Sequence, residues 1–148
     1  MWPHPDALTS DLSKKTFEHP LLEQYWEEEK PDLSTLSREI RELATFIFGN
    51  LFEPGLNVKT ARRRCRIRDN NISSRFRRAM GKGIKEYIDD HRMAAAAILL
   101  RRTELSIFDI AMSVGFHHVE TFYQVFRRRY GCTPGRFRSS PVLEEVPS

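Results

Sequence analysis

The chain carries a second copy of one of its own segments. Phe76-Arg77-Arg78-Ala79-Met80-Gly81 matches Phe126-Arg127-Arg128-Arg129-Tyr130-Gly131 at an offset of 50 residues. Ile72 and Phe122 stand four residues before the aligned phenylalanines, and Ala61 and Ala111 share the offset. Apolar residues four apart lie on one helix face, and a glycine after the last periodic residue ends a helix. Each copy therefore reads as a short helix, a tight turn and a second helix, the helix-turn-helix plan. At 148 residues the chain has room for two such units and a connector, as one domain with a short appendage.

The remaining periodicity fills in the plan. Ser34 or Ser37 is placed to cap a helix in which Ile40, Leu43, Ala44, Ile47, Phe48 and Leu51 recur at helical spacing, with Pro54-Gly55 as its stop. Val58, Ala61 and Cys65 mark a second helix ending near Arg66, and a third runs from about Asp69 to Met80 with Ile72 and Phe76 inward. A long helix from Ile84 to Arg102 follows, burying Ile84, Ile88, Ala96, Leu99 and Leu100. Ser106 and Asp109 open a fifth helix that ends at Gly115; a sixth spans His118 to Tyr130, and Pro134 opens a short last one. No segment alternates as a strand would. The expected class is all-α: a seven-helix domain over 34–140 in which a long linker helix joins two helix-turn-helix units, with an acidic arm over 1–33 and a flexible tail over 141–148.

Charge divides the chain. Residues 1–54 carry five Lys/Arg against eleven Asp/Glu, whereas residues 55–140 carry nineteen against seven. Buried unpaired charge costs several kcal/mol, so most of these cations form a basic face suited to a polyanion. Sixteen of the nineteen are arginine, whose planar fork fits phosphates and guanine edges. The arm holds four of the eight prolines and the run Glu27-Glu28-Glu29, with a short helix expected around Leu21 to Glu29. Three readings of it stay open: a disordered leader, an additional helix packed through Leu21, Leu22, Tyr25 and Trp26, or a segment that meets a partner or shields the basic face.

Other chemistries find little support. No stretch approaches the roughly 20 apolar residues of a membrane span. The charged first twenty residues exclude a secretory signal. Cys65 and Cys132 make no metal or disulfide motif, so a reduced, cytoplasmic chain is expected. Ala111-Met112-Ser113-Val114-Gly115 echoes a nucleophile elbow, but Ser113 falls inside an expected helix rather than after a strand. His117-His118 lacks further ligands for a metal and suits a turn with phosphate or base contact. Gly81-Lys82-Gly83 is a helix stop followed by a start, and Cys65 is expected in the core. No enzyme activity, cofactor or metal is expected.

The second copy is the better defined. Ser106-Ile107-Phe108-Asp109-Ile110-Ala111, Val114-Gly115-Phe116, Phe122, Phe126-Arg127-Arg128, Gly131, Thr133-Pro134 and Arg138 together resemble the signature of the AraC/XylS family of bacterial transcription regulators. A weaker match runs upstream through Arg92, Ala96, Leu99 and Leu100 to about Leu36, so the resemblance covers about two-thirds of the chain. It implies two units that place one helix each in a major groove of double-stranded DNA. Base-reading positions then fall on Val119, Glu120 and Gln124 in the second unit and on Asn70, Ser73 and Ser74 in the first. Gln and Asn suit adenine, Glu accepts from cytosine N4, and Val can touch a thymine methyl. Arg75, Arg77, Arg78, Arg127 and Arg128 fall where phosphates are met. The family output, by the same resemblance, is recruitment of RNA polymerase by a protein bound as a monomer. Only about 33 residues precede the first domain helix, too few for the family's effector-binding domain, so the resemblance is to the small stand-alone members or to a truncated one.

The first unit departs from the pattern. Arg62 stands where the family has a small Ala, with Ala61 one earlier, and Arg66 stands where the turn has Gly. A left-handed residue with a Cβ costs about 1–2 kcal/mol, so a distorted turn that grips DNA backbone more than bases is expected there. That departure and the acidic arm motivate a second reading, a protein-binding helical module that sequesters another regulator.

Overall fold

The computed structural model describes residues 17–140; the arm before Phe17 and the expected flexible tail over 141–148 lie outside the described residues. In chain order the helices are α1 (Pro20–Glu28), α2 (Arg38–Gly49), α3 (Val58–Arg64), α4 (Ile72–Met80), α5 (Ile84–Arg102), α6 (Ile107–Ser113), α7 (Val119–Tyr130) and α8 (Pro134–Ser139). The last seven are the expected seven helices, and α1 precedes them. Among the described residues there is no strand.

Local chemistry sets the ends. The side chains of Ser37, Asn57, Ser106 and Thr133 accept from backbone N–H groups three residues on, capping α2, α3, α6 and α8. Ser34 turns instead to Asp32, which leaves Ser37 as the cap of α2. Gly81 and Gly131 stop α4 and α7 in left-handed backbone at φ 87° and 79°. Gly83 then caps α5, so Gly81-Lys82-Gly83 is a stop and a start. Two helix ends differ from expectation. α2 stops at Gly49 rather than at Pro54, because the buried Asn50 side chain donates to the Phe46 carbonyl at 2.8 Å and ends the ladder. Leu51 stays buried, but from the following turn. α3 stops at Arg64, with Cys65 as its cap.

Apolar burial divides between two cores. One gathers α2, α3 and α4 with Ile84, Tyr87 and Ile88 of α5. The other gathers α6, α7 and α8 with Met93, Ala95, Ala96, Leu99 and Leu100 of α5. The linker helix is thus split lengthwise: its first half completes one unit and its second half the other. Phe122 and Phe126 are fully buried beside Phe116, as their spacing requires. Ser113 ends α6 and is not on a strand-to-helix elbow. Cys65 is half-buried against the first core, and burial pushes its thiol up to about 11. Of the readings of the arm, α1 corresponds to the packed helix, with Leu22, Tyr25 and Trp26 buried and Leu21 half-buried.

Candidate nucleic-acid interface

The second unit is built around its turn. Val114 N–H donates to Ile110, Gly115 N–H to Met112 and Phe116 N–H to Ala111, at 3.0–3.1 Å. Gly115 makes this possible at φ 111°, a conformation that side chains rarely adopt. A Cβ there would also lie 2.8 Å from the Arg92 guanidinium, which would have to shift from its place. Phe122, Val125 and Phe126 hold α7 to the core. The opposite face is left to solvent: His118, Glu120, Thr121, Gln124, Arg127 and Arg128 are exposed, and Val119 is half-buried. His117 and His118 are both exposed, at the turn and at the cap of α7.

The first unit makes the same three turn bonds with different residues. Cys65 N–H donates to Ala61, Arg66 N–H to Arg63 and Ile67 N–H to Arg62, at 2.9–3.1 Å. Arg66 takes the place of Gly115 at φ 57°, the one non-glycine left-handed residue among those described. The turn is therefore not distorted; it carries the left-handed cost in its backbone instead. These bonds also correct the repeat. Arg62, not Ala61, is the counterpart of Ala111, so the offset is 49 through the turn and becomes 50 at Ile72 and Phe122. The first unit has one residue fewer between turn and helix.

That missing residue shortens α4. Its start lies at Ile72, three residues beyond the expected Asp69, whereas α7 begins at Val119. The Asp69 carboxylate accepts from Asn71 N–H at 2.8 Å and from an Arg75 nitrogen at 2.7 Å, which holds residues 69–71 in a turn. Those bonds keep the Asp69 carboxyl below its usual range, the Asn71 N–H foremost. Arg62 folds over the same turn and donates to the Asp69 carbonyl at 3.1 Å. The long Arg62 side chain is half-buried at the small-residue position, with its end spent on this turn.

Asn70 is exposed in this turn, outside the helix, and Ser73 and Ser74 are exposed on α4 beside Arg77 and Arg78. Arg75 is different: it is half-buried, with one nitrogen 2.7 Å from both Glu39 of α2 and Asp69. It braces α4 against α2. The two candidate reading helices flank one cleft of about 670 Å³. Ser73, Ser74 and Arg77 line one wall and Val125, Arg128 and Arg129 the other, with Glu86, Asp89 and Asp90 of α5 between them. Cations answer these carboxylates: Lys82 and Lys85 at 2.6 and 2.7 Å from Asp90 and Asp89, Arg77 at 3.9 Å from Glu86 and Arg129 at 3.8 Å from Asp90. Exposed pairs stabilise little, but they balance acid along the floor.

Two supporting arginines escaped the sequence reading of roles. Arg92 is buried; its Nε donates to the Leu51 carbonyl at 2.7 Å and a terminal nitrogen to the Glu53 carbonyl at 2.9 Å. Burial pushes its guanidinium down to about 10, which still leaves it charged at neutral pH. Ile88, Arg92 and Ala96 share four-residue spacing, a signal that Arg92 faces inward. Arg138 donates to the carbonyls of Leu100 and Thr103, capping the end of α5. That contact is nonlocal and had no signal in spacing.

Residues 61–140, more than half of the chain, match the family described as Helix-turn-helix domain. Regulatory protein SoxS of Escherichia coli (strain K12) is 33% identical over 99 residues, which covers 67% of this chain and 92% of that protein. The chain belongs to the AraC/XylS family of DNA-binding transcription regulators. The C-terminal domain of the response regulator yesN from Fusobacterium nucleatum superposes with a TM-score of 0.64 at 25% identity, over 70% of this chain and all of that one. The DNA-binding domain of AdpA, solved in complex with a target DNA, shares the fold at a TM-score of 0.62 and 24% identity, over 70% of this chain and 92% of that one. Among the described residues of this AraC/XylS member, no helix is long and apolar enough to cross a membrane. The motives for a sequestering module lose their force, because the first unit keeps its turn and the described part of the arm is folded into the domain.

Proposed function

We propose that this AraC/XylS regulator reads double-stranded DNA as a monomer, with α4 and α7 entering successive major grooves about 34 Å apart on one side of the duplex. The observation that carries the reading is that α4 and α7 each leave a polar face exposed beside a basic end; the cleft both border is lined on the α7 side by Val125, Arg128 and Arg129 rather than by Glu120 or Gln124. In this reading Glu120, Gln124 and Val119 read base edges from α7, and Ser73 and Ser74 do so from α4, with Asn70 reaching from the turn. Arg77, Arg78, Arg127 and Arg128 meet phosphates, which fix register without reading sequence. Arg75 is assigned to bracing rather than phosphate contact, because two carboxylates already hold it. Recruitment of RNA polymerase and residence in the cytoplasm at the nucleoid follow from the family reading.

The experiment is selection from a random duplex pool at stated salt, followed by gel shift of the recovered operator. Glu120→Ala and Gln124→Ala should each change the sequence selected, whereas Arg127→Ala should weaken all duplexes alike. Unchanged selectivity in both α7 variants would remove α7 from the reading role.

A further inference from the structure

α1 belongs to neither helix-turn-helix unit, yet both cores share it. Trp26 lies in the core of the first unit, whereas Leu22 and Tyr25 lie in the core of the second. The contacts are specific on each side. The Trp26 indole N–H donates to the Phe48 carbonyl at the end of α2 at 2.8 Å, and its ring stacks on Phe48 at 5.2 Å. The Tyr25 hydroxyl lies 2.6 Å from His91 Nδ1, on α5 just where the first core gives way to the second. Phe17 and Phe52 pack against both cores. Arg92 adds another tie across the seam, reaching the Leu51 and Glu53 carbonyls of the first unit while its guanidinium lies 5.5 Å from the Phe116 ring of the second.

Two units joined by one helix are free to twist about it unless a further interface resists. We propose that α1, through Leu22, Tyr25 and Trp26, fixes the relative orientation of the two reading helices and thereby sets the half-site spacing this regulator accepts. The inference rests on the two-groove reading above. Inserting one base pair between half-sites moves the second by about 3.4 Å and turns it by roughly 35° about the duplex axis. A braced protein resists that displacement, and a protein joined through α5 and the Arg92 tie without α1 follows it more readily.

The test uses the full chain and the operator recovered by selection. Duplexes carry the half-sites at the selected spacing, or with one central base pair added or removed, and binding is measured at fixed salt. Wild type should lose at least about tenfold on the altered spacings, the scale of one mismatched base pair. Trp26→Ala should lose less than about threefold on the same duplexes, whatever its overall affinity. Tyr25→Phe keeps the ring and removes only the hydroxyl contact, so it stays informative should Trp26→Ala fail to fold; its penalty should fall between those of wild type and Trp26→Ala. A penalty equal to that of wild type in every folded variant, even with weaker binding throughout, overturns the proposal and leaves α1 a stabiliser only. Wild type that binds duplex with no spacing requirement overturns the two-groove reading itself, and α1's role with it.

Discussion

The two helix-turn-helix units make the same turn by different means. In the second, Gly115 supplies the left-handed backbone without strain and Arg92 occupies the space a side chain would need. In the first, Arg66 adopts that backbone despite its Cβ, Arg62 replaces the small residue, and Asp69 ties down a chain one residue shorter. The hydrogen-bonded frame tolerates this exchange because its bonds run between backbone atoms. What does not survive is the first turn of the second helix, where the proposed reading places Val119 and Glu120 in α7. A shared frame therefore does not imply a shared reading capacity.

The largest expected effect breaks the second turn. Gly115→Ala combines a disfavoured φ with an encounter with Arg92, and should destabilise by about 3 kcal/mol, measured by urea unfolding. A loss below about 1 kcal/mol would mean that this turn is as tolerant as the one at Arg66. Mild acid should separate the units next. Burial, then the nearby Lys82, hold the His91 imidazole down to about 4, while Asp90 opposes the shift. The unfolded chain therefore takes up this proton first, and the contribution is complete above about pH 6.5 and lost toward pH 4, at most about 3 kcal/mol. His91 packs on Phe48 and Tyr87, so amide exchange at pH 5 should rise in α2 and α4 before α7. His91→Gln should remove the difference.

Reading capacity gives a finer comparison. Gln124→Ala should cost about 1–3 kcal/mol of discrimination at one operator position, whereas Ser74→Ala should cost less than about 1. Equal losses would show the shortened α4 reading as fully as α7. Arg127→Ala should reduce the slope of log affinity against log salt by about 0.9, while Arg75→Ala should leave that slope unchanged and lower stability instead. The smallest effect is a gain. Arg66→Gly should stabilise the chain by up to about 1 kcal/mol in thermal unfolding, the relief of left-handed backbone less the added freedom of the unfolded state.

The second unit was legible because its signature residues act locally. Gly115 makes the turn, Phe116 closes it, and Phe122 and Phe126 point inward at helical spacing. The end of α2 was not, because Leu51 continues the apolar period while the Asn50 side chain has already taken the Phe46 carbonyl. The start of α4 was hidden in the same way by an Asp69 side chain that competes with the helix for N–H groups. For α1, Leu22, Tyr25 and Trp26 had visible helical spacing. Nothing in that spacing tells that adjacent residues enter different cores, since partition between distant elements has no local signature. Of the proposed site, Glu120, Gln124, Ser73 and Ser74 were located through the family resemblance, whereas the capture of Arg75 by Glu39 joined residues 36 apart in the chain.

The change of offset from 49 to 50 has a practical side. Ile72 and Phe76 keep the inward register of Phe122 and Phe126, and the deficit is absorbed wholly on the outside. The halves of this duplication are consequently not interchangeable cassettes. A designer who grafts the outer surface of α7 onto α4 has no scaffold for its first three positions. Until a residue is restored between Ile67 and Ile72, the three residues that open α7 have no helical counterparts in α4 to receive them.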